Sequence, residues 1–319
     1  MTSEPQDETG APARAMPAEE GGDRHCGFAA LAGRPNVGKS TLLNALLGRK
    51  VSIVSPKPQT TRTRIHGVLT RPDMQIVFVD LPGIHANQTR AMNRYMNRTA
   101  LSSLADSDVN LMVVEALRWT DEDERVLDEL KRAARPILLL VNKVDRVHPK
   151  ERLFQYLADV APKAAFAELV PISATRRSGL SRLPELIARH LPLSPLLFPA
   201  DQVTDAPERF MAAEIVREKL MLRLQEELPY GIFVEIEGMG ESEDEPGKLV
   251  VQAVIWVERT GQKSIVIGKA GERLKEIGRA ARLELNRHFG RHVHLELWVK
   301  VKEGWSDDEN ALRKFGYES

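Results

Sequence analysis

Eight residues constrain the fold of this chain more than any other stretch. Gly33-Arg34-Pro35-Asn36-Val37-Gly38-Lys39-Ser40 follows an apolar run, Phe28–Ala32, and precedes an amphipathic stretch, Ser40–Leu47. The string fits G-x-x-x-x-G-K-[ST] in its strand-to-helix setting. Glycines let the backbone wrap closely around a phosphate, the loop amides form an anion-binding concavity, and the helix N-terminus adds its positive dipole end. The expected nucleotide ligands are Gly33, Asn36, Val37, Gly38, Lys39, Ser40 and Thr41, with Lys39 reaching the β/γ-phosphates and Ser40 ligating Mg²⁺.

The surrounding texture agrees. Short apolar runs recur at Ile76–Val79, Val109–Val114, Ile137–Val141 and Leu169–Ile172, with amphipathic stretches such as Glu122–Arg132 and Glu151–Val160 between them. Continuous apolar strands alternating with helices imply an α/β fold with a mostly parallel sheet covered on both faces. Arg64–Thr70 is expected to pair at its edge. Prolines 192, 195, 199 and 207 then punctuate the chain, and the pattern changes. A long helix over Glu208–Glu227 precedes strand-like runs Gly231–Gly238 and Leu249–Glu258, a helix Glu272–Phe289 and a strand His292–Val301, which is an α+β arrangement. The expected organisation is a disordered acidic tail over 1–25, a nucleotide domain over 26–192, a linker over 193–206, a second domain over 207–302 and a C-terminal tail over 303–319. Cys26 is the only cysteine, so the expectation is a reducing, cytoplasmic compartment with no disulfides. No apolar run reaches the ~18–20 residues needed to span a bilayer, and the first 25 residues do not read as a signal peptide.

Three further strings accompany the phosphate loop, each at the end of an expected strand. Asn142-Lys143-Val144-Asp145 places a carboxylate, Asp145, that could accept from guanine N1–H and the exocyclic amine, a pattern adenine does not offer. Asp80-Leu81-Pro82-Gly83 offers a carboxylate for Mg²⁺ and the Gly83 amide for a γ-phosphate. Ser173-Ala174 offers backbone amides to the guanine carbonyl. Alone, Asn142–Asp145 is a weak signal that a solvated loop could equally give, and the other two strings would more often be turns. Together, in order and at strand carboxyl ends, they mark the crevice where open α/β sheets bind ligands. A P-loop kinase or ATPase is disfavoured by Asn142–Asp145.

This arrangement resembles the translation-factor-like GTPases over residues 27–191, which implies binding of GTP and GDP. In that resemblance Gln59-Thr60-Thr61-Arg62 occupies the first switch, and Thr61, with Thr60 close behind, is the expected Mg²⁺ and γ-phosphate ligand beside Ser40 and Asp80. Lys39, Thr61 and Gly83 are the expected catalytic groups. Ile84 stands where Ras-like proteins place the glutamine that orients water, and its side chain cannot hydrogen-bond, so slow intrinsic hydrolysis is expected. Similar GTPases with Asn at position 36 bind K⁺; an Asn that only stabilises the loop turn is an equal reading.

Ser264-Ile265-Val266-Ile267-Gly268-Lys269-Ala270-Gly271 contains G-x-x-G, the loop that clamps about four nucleotides of a single strand in a KH module. By sequence Ser264–Ile267 could be a strand; resemblance to a type II KH domain makes it a helix. Lys263, Gly268, Lys269, Ala270, Gly271, Arg273, Lys275 and Arg279 are the expected RNA contacts. The whole chain balances 45 Lys+Arg against 45 Asp+Glu, which on its face disfavours nucleic acid. Yet Arg259–Lys302 carries eleven bases and four acids, net +7, offset by −4 in residues 1–25 and −3 in 303–319. The sum therefore hides a basic module, and the acidic tails are expected to screen it.

A G domain followed by this module, with Glu214-Ile215-Val216-Arg217-Glu218-Lys219-Leu220 and Pro229-Tyr230, resembles the Era family over roughly 27–302. Leu81 departs from it, standing where that family usually has Thr. The resemblance implies binding near the 3′ end of 16S rRNA, assistance to small (30S) ribosomal subunit assembly, some peripheral association with the inner face of the membrane, and a monomer. The alternative is a GTPase whose KH-like domain is a protein-interaction scaffold.

Overall fold

The computed structural model describes residues 23–83, 90–224 and 231–317. Strands β1 (Arg24–Ala32), β3 (Met74–Asp80), β4 (Val109–Glu115) and β5 (Ile137–Asn142) are buried along most of their length. Strands with two apolar faces need cover on both sides and run parallel. The sheet order is β2-β3-β1-β4-β5-β6, with β6 (Glu168–Pro171) at one edge and the antiparallel β2 (Ile65–Arg71) at the other. Helices α1 (Lys39–Leu47) and α5 (Leu183–Ala188) cover the face carrying Leu31, Ile76, Phe78 and Leu111. Helices α2 (Ala91–Asp106), α3 (Asp121–Ala133) and α4 (Glu151–Val160) cover the face carrying Ala30, Val79, Met112 and Val114. All four sequence strings follow the carboxyl ends of β1, β3, β5 and β6, so the topology gathers them on one rim.

The second sheet has the order β10-β9-β8, with β8 (Ile232–Glu241) antiparallel and β10 (Val293–Val301) parallel to the central β9 (Leu249–Val257). Helices α6 (Glu208–Arg223), α7 (Thr260–Ile267) and α8 (Glu272–Phe289) bury Ile215, Val266, Ile277 and Leu285 against it. The order α-β-β-α-α-β is that of a type II KH domain.

Ser264–Ile267 is helical, as the resemblance implies, and belongs to α7. Gln262 Oε1 accepts from the amides of Glu258 and Arg259, which satisfies donors at the helix start, and Val266 is buried. Helix α2 was not expected: its sequence is rich in Asn, Arg, Thr and Ser, and its apolar positions divide between two partners, Ala100 and Leu104 against the sheet and Met92, Tyr95 and Met96 against the C-terminal segment. Arg24 and His25, assigned to the N-terminal tail, begin β1 because β7 (Leu193–Ser194) pairs with them. The rest of the linker is held as well. Buried Gln75 accepts from the amides of Leu197 and Phe198 at 2.8 and 3.0 Å, and Val203 O receives the Val68 amide at 2.7 Å.

The C-terminal segment is not a tail over 303–317. Trp305 is fully buried, and with Tyr317, Ala311 and Leu312 it packs on Met92, Tyr95 and Met96 of α2, with Phe233 of β8 and Phe315 against the same cluster. Asp307 accepts the Ala91 amide at the start of α2, Asp308 caps helix α9 (Glu309–Lys314), and Glu309 pairs with Arg94. These acids serve helix ends and an ion pair. Residues 1–22, Ile84, the stretch 225–227 expected to end the long helix, and Pro229-Tyr230 lie outside the described residues.

Candidate functional site

Gly38 shows why the phosphate loop needs glycine. Its φ is +105°, and a Cβ there would stand 2.5 Å from Asn142 Nδ2. The loop therefore passes directly over the Asn142 amide, which donates to Val37 O at 2.8 Å. Asn142 Oδ1 accepts the amides of Lys143 and Ala174 at 2.8 and 3.0 Å. One buried amide thus ties the phosphate loop to both loops expected to read the base. Ser173 Oγ donates to Asp145 Oδ1 at 2.6 Å, which holds that carboxyl below the usual range, and Lys143 Nζ lies 3.1 Å from Glu115.

Lys39 is 7 % exposed and donates back to the carbonyls of Gly33 and Arg34 at 2.8 and 3.3 Å. Burial pushes its ammonium down to about 8, against the pull of Asp80. Arg34 stiffens the loop from behind, donating to Asp123 and Glu115, each at 3.1 Å.

Asp80 is the centre of the second cluster. Its Oδ2 accepts from Ser40 Oγ at 2.7 Å, Ser52 Oγ at 2.7 Å and Thr61 Oγ1 at 3.3 Å, and Ser40 and Thr61 lie 3.1 Å apart. Its Oδ1 is buried with no partner among the described residues. Burial raises the carboxyl above its ordinary range, with Lys39 working in the opposite direction. An all-oxygen set with an orphaned buried carboxylate oxygen fits a hard divalent cation such as Mg²⁺. Thr61 points into this cluster. Thr60 points away, bonding Ser55 Oγ and Lys57 O, each at 2.7 Å. Gly83 lies against Pro35 of the phosphate loop, whose nearest atoms would be 3.1–3.3 Å from a Cβ there.

A cleft of about 500 Å³ joins these groups, lined by Asn36, Gly38, Lys39, Ser40, Thr41, Thr61, Gly83, Asn142, Lys143 and Asp145. Gly33, Val37, Asp80, Ser173 and Ala174 stand behind it as its frame. Asn36, at φ +65°, donates to Pro56 O at 2.7 Å and so links the phosphate loop to the first switch. Ser52, and Leu222 of α6 at the cleft wall, were missed by sequence reasoning. Ser52 sits outside every motif, and Leu222 comes from the other half of the molecule.

The G-x-x-G loop joins α7 to α8 as a single tight turn. Gly268 (φ +74°) and Gly271 (φ +79°) flank the exposed Lys269 and Ala270, and a Cβ at Gly268 would meet Arg273 Cβ at 2.7 Å. Arg273 closes the turn by donating to Ile265 O at 2.7 Å. Arg273, Lys275 and Arg279 are exposed on α8, and Lys263 is half-buried on α7. The expected RNA contacts therefore lie on the turn and on the two helices that flank it.

A phosphate loop, a carboxylate–hydroxyl cluster and a base-reading pair on one rim define a P-loop GTPase, here joined to a KH domain. A family model described as "50S ribosome-binding GTPase" matches residues 28–143, and one described as "KH domain" matches 227–306. GTPase Era of Stenotrophomonas maltophilia is 54 % identical over 92 % of this chain and 98 % of its own length, and that of Vibrio vulnificus is 51 % identical over 92 % of each. A crystal structure of an Aquifex aeolicus Era variant bound to GDP and AlF₄⁻ superposes with a TM-score of 0.89 at 42 % identity, covering 92 % of this chain and 99 % of that one. A structure of Era with MgGDPNP and nucleotides 1506–1542 of 16S ribosomal RNA also gives 0.89 at 42 %, covering 93 % and 100 %. The chain belongs to the Era family of GTPases.

Proposed function

We propose that the protein is a GTP-hydrolysing, RNA-binding switch that binds 16S rRNA near its 3′ end and assists assembly of the small (30S) ribosomal subunit. The observation that carries this reading is the presence, on one chain, of the Asp80–Ser40–Thr61 cluster and an exposed, basic G-x-x-G turn. The relative solved with MgGDPNP and a 16S rRNA fragment supports it over nearly the full length.

The reaction is attack of water on the γ-phosphate, giving GDP and phosphate. The phosphate-loop amides and Lys39 hold the phosphates. Ser40, Asp80 and Thr61 hold Mg²⁺, which neutralises charge on the β- and γ-oxygens. Gly83 presents an amide to the γ-phosphate, and Asp145 with the Ser173-Ala174 amides selects guanine. With Ile84 unable to orient water, intrinsic turnover is slow, and the protein works in the cytoplasm as a monomer. Peripheral association with the inner face of the membrane belongs to the same proposal; no described helix is long and apolar enough to cross a bilayer. K⁺ near Asn36 would add positive charge beside the phosphates, so turnover is expected to be faster in K⁺ than in Na⁺ buffer, and equal rates refute that role.

Binding of 16S 3′-end oligonucleotides tests the RNA reading. Replacing Lys269 and Ala270 together by Asp keeps both glycines, and Asp tolerates the φ of +50° at position 270. The double variant should bind at least tenfold more weakly, with a salt slope reduced by about one. Unchanged RNA affinity and slope would favour a protein-interaction scaffold.

A further inference from the structure

Helix α6 opens the RNA-binding half, yet two of its charged side chains are buried: Arg217 is 2 % and Glu218 is 4 % exposed. Buried charges need partners, and these residues find several in residues 50–60, on the nucleotide side. Glu218 Oε1 accepts the Val54 amide at 3.0 Å, and its Oε2 accepts from Lys50 and Lys219, each at 2.6 Å. Arg217 is gripped by Glu214, whose two oxygens accept from Nε and Nη2 at 2.6 Å each. The same Nη2 donates to the carbonyl of Thr60. Lys57 Nζ donates to Leu224 O just past the end of the helix. Helix α6 and the residue that follows it thus hold the segment from Val54 to Thr60, which leads into the first switch, at three points.

The Thr60 carbonyl belongs to the peptide that leads into Thr61, whose hydroxyl stands in the Asp80–Ser40 cluster. On the other side of Thr61, Arg62 Nη1 donates to Ile232 O, at the start of β8, at 2.6 Å. The threonine is therefore suspended between two anchors that both lie in the RNA-binding half, with Arg217 157 residues from Thr60 and Ile232 170 residues from Arg62 in sequence. An arginine suits the first anchor because its planar fork can meet a carboxylate with two N–H groups and still reach a carbonyl.

We propose that Arg217 is a positioning residue for GTP hydrolysis: it fixes the peptide that carries Thr61, so that helix α6 sets the metal-ligating hydroxyl in place. The proposal rests on the reading of Thr61 as a Mg²⁺ ligand given above. It assigns the helix between the two halves a part in completing the catalytic site.

The test compares Arg217→Met, Arg217→Lys and Thr61→Val in the full chain. Without nucleotide, hydrogen exchange of the Thr60–Arg62 amides should rise at least tenfold in Arg217→Met, with exchange in β1, β4 and β5 unchanged. GDP affinity should stay within about twofold of the parent. The kcat for GTP should fall about tenfold, the scale of one lost charge-assisted hydrogen bond, and the Mg²⁺ needed for half-maximal turnover should rise. Arg217→Lys should recover part of the loss. Parental exchange and kcat in Arg217→Met would overturn the proposal, as would an equal fall in thermal stability, GDP affinity and turnover. If Arg217→Met does not fold, Glu214→Gln, which loosens the grip on the guanidinium, should give the same pattern at smaller size, and parental exchange and kcat there would overturn it. Parental turnover in Thr61→Val marks failure of the Thr61 reading itself. Slow Thr61→Val beside a parental Arg217→Met marks failure of the positioning role alone.

Discussion

Asp80 gathers three hydroxyls on one carboxylate oxygen while the other stays buried without a partner among the described residues. Burying a carboxylate this way is costly unless a cation offsets the cost. Asp80→Asn removes the charge and keeps the shape, so the Mg²⁺ concentration supporting half-maximal GTP turnover should rise about 10- to 100-fold. An unaltered Mg²⁺ dependence would contradict the assignment. At this scale much was legible in advance. The spacing of Gly33, Gly38, Lys39 and Ser40 placed the phosphate loop, and Asp80, Asn142 and Asp145 followed from their positions after apolar runs. What sequence could not give was the work of each side chain. Asn142 reads as a base-site residue, yet its amide serves mainly to bind three loops together. The resemblance favours Thr61 over Thr60, and the hydrogen bonds supply the reason: the Thr61 hydroxyl meets Ser40 and Asp80, whereas that of Thr60 meets Ser55 and Lys57.

Among the elements, the buried parallel strands were the clearest from sequence because an uninterrupted apolar run leaves little choice. Helix α2 and the C-terminal segment were not readable because each makes sense only against the other. Met92, Tyr95 and Met96 form no conspicuous stripe until Trp305, Leu312 and Tyr317 cover them. The segment also caps α2 through Asp307. Removing residues 303–319 should therefore lower stability by about 3–5 kcal/mol, the scale of deleting a buried tryptophan, with about 1 kcal/mol more for the lost cap. Thermal unfolding measures this, and a truncated protein melting with the full chain would show that the seam contributes nothing. The same segment changes the meaning of the charge pattern. Asp307, Asp308 and Glu309, part of the acidic counterweight read from 303–319, are also engaged at helix ends and with Arg94.

For the whole molecule, the two halves meet through polar groups as well as apolar ones. Glu218 and Glu284 converge on Lys50, Arg217 reaches Thr60, and Arg62 reaches Ile232. The first switch is thus built into the seam between the GTPase and KH domains, so any movement of that switch with the γ-phosphate must be felt by the helix that opens the RNA-binding half. A zero net charge conceals this division of labour, since the basic surface lies around Lys269 while the nucleotide cleft lies on the other half. The most direct test of that coupling is the affinity of the full chain for a single-stranded 16S 3′-end oligonucleotide, measured at one salt concentration with Mg²⁺ and either a non-hydrolysable GTP analogue or GDP. The account predicts binding at least tenfold tighter with the analogue, a coupling of about 1.4 kcal/mol. Equal, weak binding in both states would contradict it.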